Sequence, residues 1–337
     1  MALDTRTWDA LEVAARNAAA AGGFAAMGYY RDALRAATVL DGSVNPSTEA
    51  DVQATLAILR TLDPMIGNAT GGGLGRSYFA EELASAGSTA TTGSDRISAA
   101  LEELGGVRKH VCLSGREFAK TFSHGLAVLI DGLDGTTSFR AGIPLFCSAV
   151  AMFVDGEPRI GAIYDPIHNV VYSGSVRSEH EGSHNASAAY VWNVQSGTRS
   201  SLPLVPELAV ERGLLGIHIT RSNAERQAEA LGLLGRLLPA MRGTYMLNSG
   251  QLALAYVASG NLSAFVNNHT NLWDIAAGEV LVRAVGGRVT NLDGSSIRYD
   301  PGESDGGESV SVLASINPEV HDSLLGLIRG VPPSRVI

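Results

Sequence analysis

Cysteine is almost missing from this chain: Cys112 and Cys147 are the only two among 337 residues. The pair lacks metal-ligand spacing, which excludes a cysteine-built metal site, and both read as buried thiols in a reducing compartment. Basic charge is also scarce, with 25 Lys and Arg against 34 Asp and Glu and a formal net charge of -9. That balance argues against a general nucleic-acid or membrane-surface binder, so phosphate would have to be held locally by metal ions and helix N-termini. Long apolar runs are lacking as well. The alanine-rich stretch from Ala14 to Ala26 is broken by Arg16, Asn17, Gly22 and Gly23. Neither end carries a recognisable signal peptide, and the expectation is a soluble cytoplasmic enzyme. No internal period points to a repeat array.

What the chain does have is hydrophobic residues, 45% of the total, enough at this length for one large α/β unit or two smaller domains. Helix and strand signals alternate in an order that predicts layered packing. Helices are expected from about Arg6 to Leu34 and from Ser47 to Leu62, then strands near Tyr78, Leu126, Phe146 and Ile160. The second half reads as a strand at Leu214 to Ile219, a helix from Ser222 to Leu237, a strand near Tyr245 and a helix from Ser249 to Ala258. A short strand, a helix beginning around Asp274 and running to Val285, and a closing strand and helix complete it. The boundary is expected near Pro166 to Ser175, with residues 1–170 as one half and 171–337 as the other.

The most informative stretch is Asp131-Gly132-Leu133-Asp134-Gly135-Thr136-Thr137, directly after the apolar run Leu126 to Ile130. A buried strand ending in two acids and a Gly-Thr-Thr turn gathers carboxylates, a free carbonyl and N–H groups at one strand terminus, where open α/β folds keep their ligands. Carboxylates this close repel and tend to keep a proton unless a cation sits between them. Oxygen donors alone favour Mg²⁺ over zinc. A second, independent motif is Trp273-Asp274-Ile275-Ala276-Ala277-Gly278 at the start of an apolar-periodic segment.

Together the two motifs resemble the inositol monophosphatase family, in the superfamily that also holds fructose-1,6-bisphosphatases and 3'-phosphoadenosine phosphate nucleotidases. Ser47-Thr48-Glu49-Ala50-Asp51 and Tyr78-Phe79-Ala80-Glu81-Glu82 resemble further family segments, and Ile160 to Pro166, Ile219 to Ser222, Ser249 to Gly260 and Val285 to Gly287 follow in family order. The resemblance implies an α/β (α+β) fold, a layered αβαβα sandwich, and a homodimer. It implies a phosphomonoesterase of a small phosphorylated polyol, sugar or nucleoside, using about two or three Mg²⁺ ions per site. Glu81, Asp131 and the Leu133 carbonyl would bind one ion, and Asp131, Asp134 and Asp274 another. Thr136, oriented by Asp51, would align the attacking water. The N–H groups of Gly135 and Thr136 would hold phosphate, and Ser249 and Asn267 would contact substrate. The alternatives are a 3'-phosphonucleotide phosphatase, a fructose-bisphosphatase, or a catalytically silent homologue that binds a phosphorylated metabolite.

Several places depart from the family pattern. An insertion spans about residues 84–120, with a helix-like run at Ser94 to Leu104, as either a surface excursion or a substrate cap. It leaves Glu81 and Glu117 as competitors for the first acidic ligand. Val176 to Leu202 lacks the usual Gly-Ala and Asn-Gly landmarks, and Thr38 to Ser47 lacks a lysine often found there. Gly132 replaces a usual proline and should loosen its turn. Asn267 stands where inositol monophosphatases carry a glutamate, which weakens the case for plain inositol phosphate. Asn268 and His269 flank the same entrance, His269 reading as a loop histidine.

Overall fold

The computed structural model describes residues 3–30, 49–81, 102, 104–112, 114–122, 125–177, 187–203, 209–219, 223–299 and 309–330. The chain opens with α1 (Thr5–Met27), capped by Asp4, whose carboxylate accepts the Thr7 N–H at 2.7 Å. Trp8, Leu11, Ala14, Ala15, Ala18, Ala19, Gly22, Gly23 and Ala26 form its buried face at helical spacing. Small residues let that face lie close to the sheet: a Cβ at Gly22 would stand 2.4 Å from Ser148 Oγ, and one at Gly23 2.3 Å from the Tyr164 ring. Against it packs α2 (Glu49–Ala69), with Asp51 in its first turn.

β1 (Arg76–Ala80) follows, then a short 3₁₀ turn at Gly105–His110, α3 (Gly115–Phe122), β2 (Leu126–Asp134) and the one-turn α4 (Thr136–Arg140). β3 (Cys147–Val154), β4 (Glu157–Asp165), β5 (Val170–Val176), β6 (Ser187–Asn193) and β7 (Arg199–Ser201) complete a seven-stranded sheet in sequential order. β1 and β2 are parallel and every other pair is antiparallel. All nine residues of β2 are buried, which explains the continuous apolar run that ends in acids.

The second half adds β8 (Leu214–His218), α5 (Ala224–Leu237), β9 (Gly243–Met246), α6 (Gly250–Ala258), β10 (Ala264–Thr270), α7 (Ala276–Ala284), β11 (Arg288–Thr290), β12 (Val310–Ser315) and α8 (Pro318–Ile328). Its five strands order as β11-β12-β10-β8-β9, with β10, β8 and β9 parallel. α6 and α7 pack between the two sheets, α1 and α2 cover the outer face of the first sheet, and α5 and α8 lie against the second. The layers therefore read αβαβα. Close approach again uses glycine: a Cβ at Gly161 of β4 would meet the Ala277 carbonyl of α7 at 2.3 Å.

Several element boundaries differ from expectation. The first sheet continues through β5, β6 and β7, so the change of sheet falls between Ser201 and Leu214 rather than at Pro166 to Ser175. Val176 to Leu202, read without landmarks, carries two antiparallel strands. Asp274 lies in the turn before α7 instead of inside the helix, because the chain first wraps its own carboxylate. α1 ends at Met27; the expected continuation to Leu34, the helix starts at Ser47 and Ser222, the lysine-poor 38–47 segment and most of the insertion lie outside the described residues. Its described end, 104–122, packs on the edge of the first sheet, where Val111 bridges Tyr78 and Phe118 stacks on Phe79 at 5.4 Å.

Candidate active site

The parallel pairing of β1 and β2 sets Ala80 opposite Ile130, so Glu81 and Asp131 emerge side by side at the carboxyl ends of both strands. Residues three apart on a regular strand face opposite sides. Here the β2–β3 register shifts between Asp131 and Asp134, since Asp131 pairs with Ala149 and Asp134 with Cys147. That bulge gives β2 an extra residue between the two acids, and Asp131, but not Asp134, joins Glu81 and Asp274 in a three-acid group. Carboxylate oxygens of Glu81, Asp131 and Asp274 come within 4.8 Å of one another. Glu117 is exposed in the first turn of α3, so the strand register places Glu81 at the cluster.

Asp131, Asp274 and Asp134 all accept hydrogen bonds from neutral donors. Asp131 Oδ1 accepts the Leu133 N–H at 3.1 Å. Asp274 Oδ2 accepts from Thr270 Oγ1 at 3.0 Å, from the Asn271 N–H at 3.0 Å and from Asn271 Nδ2 at 3.3 Å. Asp134 Oδ2 accepts from Ser249 Oγ and the Gln251 N–H, both at 2.7 Å. Burial, and then the negative charge of Asp274, push the Asp134 carboxyl up to about 7. Burial likewise raises Asp274, against the opposing hydrogen bonds from Asn271 and Thr270. Cys147 Sγ lies 3.8 Å from Asp134 Oδ2, and burial followed by that carboxylate pushes its thiol upward, so it stays protonated. Three carboxylates gathered this closely are hard oxygen donors of the kind a Mg²⁺ ion takes, and the residues present fit one.

Thr136 Oγ1 lies 2.9 Å from the Leu133 carbonyl and 3.4 Å from Asp51 Oδ1, with Asp51 and Thr136 both buried. This approach depends on Gly132. A Cβ there would stand 2.6 Å from Thr55 Oγ1 and 2.9 Å from the Asp51 carbonyl, so a glycine lets β2 and α2 close at this seam. Gly135 has φ 91, a left-handed conformation that glycine adopts without strain, and it opens α4. The first N–H groups of that turn have no partner within the helix.

Two expected substrate contacts are buried with partners inside the protein. Ser249 is 1% exposed; its hydroxyl caps α6 by accepting the Leu252 N–H and donates to Asp134. Asn267 is 2% exposed: Oδ1 accepts the His269 N–H at 3.0 Å and Nδ2 lies 3.3 Å from His218 Nδ1. Burial pushes His218 down to about 4, so its neutral ring can accept from Asn267. His269 lies within β10 and not in a loop as expected; its ring contacts Arg226 Nη1 at 2.5 Å, and its pKa is lowered by burial and then by that arginine. Asn268 is tied to the Arg226 carbonyl at 2.9 Å.

Sequence reasoning missed Thr270, Asn271, His218 and Gln251. The first two stand four and three residues before Asp274, the spacing of a local carboxylate-capped turn, and could have been found. Gln251 and His218 act across the fold and leave no local signal.

Residues 7–331 match the family model described as "Inositol monophosphatase family". The chain is 30% identical over 200 residues to the inositol-1-monophosphatase of Bacillus subtilis, an alignment covering 59% of this chain and 66% of the relative. It is also 30% identical over 242 residues to inositol-1-monophosphatase ImpA of Mycolicibacterium smegmatis, covering 69% and 76% respectively. The Bacillus alignment thus spans just under two thirds of that relative's length. Among solved structures, the extragenic suppressor protein SuhB of Bartonella henselae superposes with a TM-score of 0.63 at 20% identity, covering 96% of this chain and 98% of that one. At that identity the superposition shows the shared fold.

Proposed function

The chain belongs to the inositol monophosphatase family, and from that premise we propose that it is a Mg²⁺-dependent phosphomonoesterase of a small phosphorylated polyol, sugar or nucleoside. The observation that carries this reading is the convergence of Glu81, Asp131 and Asp274, from three separate segments, to within 4.8 Å. Names of relatives such as the Bacillus inositol-1-monophosphatase support the same reaction class.

Glu81, Asp131 and the Leu133 carbonyl would hold one ion, and Asp131, Asp134 and Asp274 a second. When bound, such ions supply charge neutralisation, a nucleophilic water at neutral pH and stabilisation of the departing alkoxide. The chain's own residues do the rest. Thr136, its proton committed to the Leu133 carbonyl or Asp51, presents oxygen lone pairs that orient a water for in-line attack. The first N–H groups of α4, including those of Gly135 and Thr136, face developing negative charge on phosphate. No side chain needs to become phosphorylated.

For specificity, the neutral Asn267–His218 pair offers no carboxylate to ring hydroxyls. The reading therefore extends beyond inositol phosphate to sugar phosphates, with 3'-phosphonucleotides and fructose bisphosphate as the competing substrates. A homodimer inside the cytoplasm accompanies the proposal. The test is phosphate release from inositol, sugar and nucleotide phosphates at saturating Mg²⁺, repeated after EDTA. Turnover of at least one ester, abolished by EDTA and restored by Mg²⁺, is expected; release unaffected by chelation would overturn the metal-dependent reading, and no release from any ester would leave a silent binder.

A further inference from the structure

The helix that follows Asp274 begins without a cap of its own. α7 has Ile275 at its N-cap, a residue with no side-chain acceptor, and no side-chain cap bond is made from it. Yet the first N–H groups of a helix require outside partners when buried, and Gly278 is fully inside the fold. The missing acceptor comes from another helix. Gln251 Oε1, from the first turn of α6, accepts the Gly278 N–H at 2.8 Å. The same amide donates from Nε2 to the Trp273 carbonyl at 2.6 Å, on the residue next to Asp274. Its own backbone N–H is one of the two donors at 2.7 Å from Asp134 Oδ2.

One residue, 1% exposed, thus grips Asp134 with its backbone and the Asp274 turn with both ends of its side chain. Close packing assists: a Cβ at Gly250, the residue before it, would stand 2.6 Å from the Asp274 carbonyl. A rigid link matters here because the two carboxylates come from segments far apart in the chain, Asp134 at the end of β2 and Asp274 in the turn before α7. Without it, the α6 end that bonds Asp134 and the turn that carries Asp274 lose their direct side-chain connection.

We propose that Gln251 is a positioning residue that caps α7 from α6 and thereby fixes Asp134 and Asp274 relative to one another for cation binding. The inference rests on the metal-dependent reading above and concerns binding rather than turnover. Outer partners of metal ligands typically contribute ten- to a hundredfold in affinity, so loss of this clamp should weaken one cation site by about tenfold.

The experiment titrates the folded, metal-free protein with Mn²⁺ and reads free Mn²⁺ by electron paramagnetic resonance. Gln251→Met keeps volume while removing both side-chain bonds; Gln251→Asn keeps the amide but retracts it by one methylene. Ser259→Ala, which removes a buried 2.7 Å bond to the Ala255 carbonyl at the far end of α6, is the control for general loosening. Weaker Mn²⁺ binding in the Gln251 variants, with Ser259→Ala matching wild type, is the expected result. Wild-type affinity in either folded Gln251 variant, equal loss in Ser259→Ala, or collapse of both Gln251 variants would overturn it. A wild-type protein that takes up no Mn²⁺ would instead remove the metal-dependent reading on which it stands.

Discussion

Asp274, half-buried just before α7, and Glu279, buried within it, stand five residues apart, and desolvation pushes the pKa of both upward. Their partners differ. Glu279 receives the Tyr299 hydroxyl at 2.5 Å and the Arg283 guanidinium at 3.4 Å, so the protein supplies its own cation on that side. Asp274 is met by a threonine hydroxyl and an asparagine, and its nearest charged neighbours are other acids. Glu279 is completed by a cation from within the protein, whereas Asp274 stands in a group of three close acids, an arrangement that a cation from outside would stabilise.

The comparison breaks most sharply by activity. Asp131→Asn should cut turnover by at least about a hundredfold, since positioned cations supply several kcal/mol and this residue serves both sites. Glu279→Gln should leave kcat within about threefold, because the reacting groups do not touch it. Steady-state rates of the two folded variants decide the matter, and a comparable loss in both would erase the distinction.

In metal-free protein the same pair of regions should respond to neutralisation with opposite sign. Asp134→Asn relieves repulsion from Asp274 and should raise the unfolding free energy in EDTA by about 1–3 kcal/mol, whereas Glu279→Gln strands Arg283 and should lower it by a similar amount. Denaturant unfolding at pH 8 reads both. Equal destabilisation would mean that Asp134 is satisfied without an ion.

A smaller effect is expected at the seam beneath the acids. Gly132→Ala forces the new Cβ against Thr55 Oγ1 and the Asp51 carbonyl, at 2.6 and 2.9 Å in the present geometry. Displacing Asp51 from Thr136 by a few tenths of an ångström should lower kcat about tenfold with little change in the Mg²⁺ requirement. A change confined to metal affinity would show that Gly132 serves the carboxylates and not the water-orienting pair.

The mildest sign is pH dependence. Asp134 has its carboxyl raised from 3.8 to about 7, so the folded metal-free protein holds this proton more tightly than the unfolded chain. Stability from this group is present below pH 4 and is lost as pH rises toward 7, the reverse of a salt-bridged aspartate. The gain in Tm on adding Mg²⁺ should therefore grow between pH 5 and pH 8. A constant gain would place the proton elsewhere.

Legibility in the sequence followed distance along the chain. Asp131, Asp134, Gly135 and Thr136 lie within six residues, so their chemistry showed as a local string. Asp274 was recognisable because Trp273 to Gly278 forms a motif of its own. The choice between Glu81 and Glu117 was not legible, since both follow plausible elements; the Ala80–Ile130 register settles which acid stands beside Asp131. Order along the chain suggests Ser249 and Asn267 as site residues but not the bond from Ser249 to Asp134 or the contact of Asn267 with His218 that the structure shows.

By itself, then, the sequence determined the layered class, the acidic strand end and its turn, because periodicity and short-range chemistry are written in neighbouring residues. Tertiary structure decided which acids converge, that Gly132 lies at a close contact between β2 and α2, and that Gln251 closes a helix it does not belong to. These depend on register and on close approach between segments far apart in the chain, and a single sequence carries no measure of either distance.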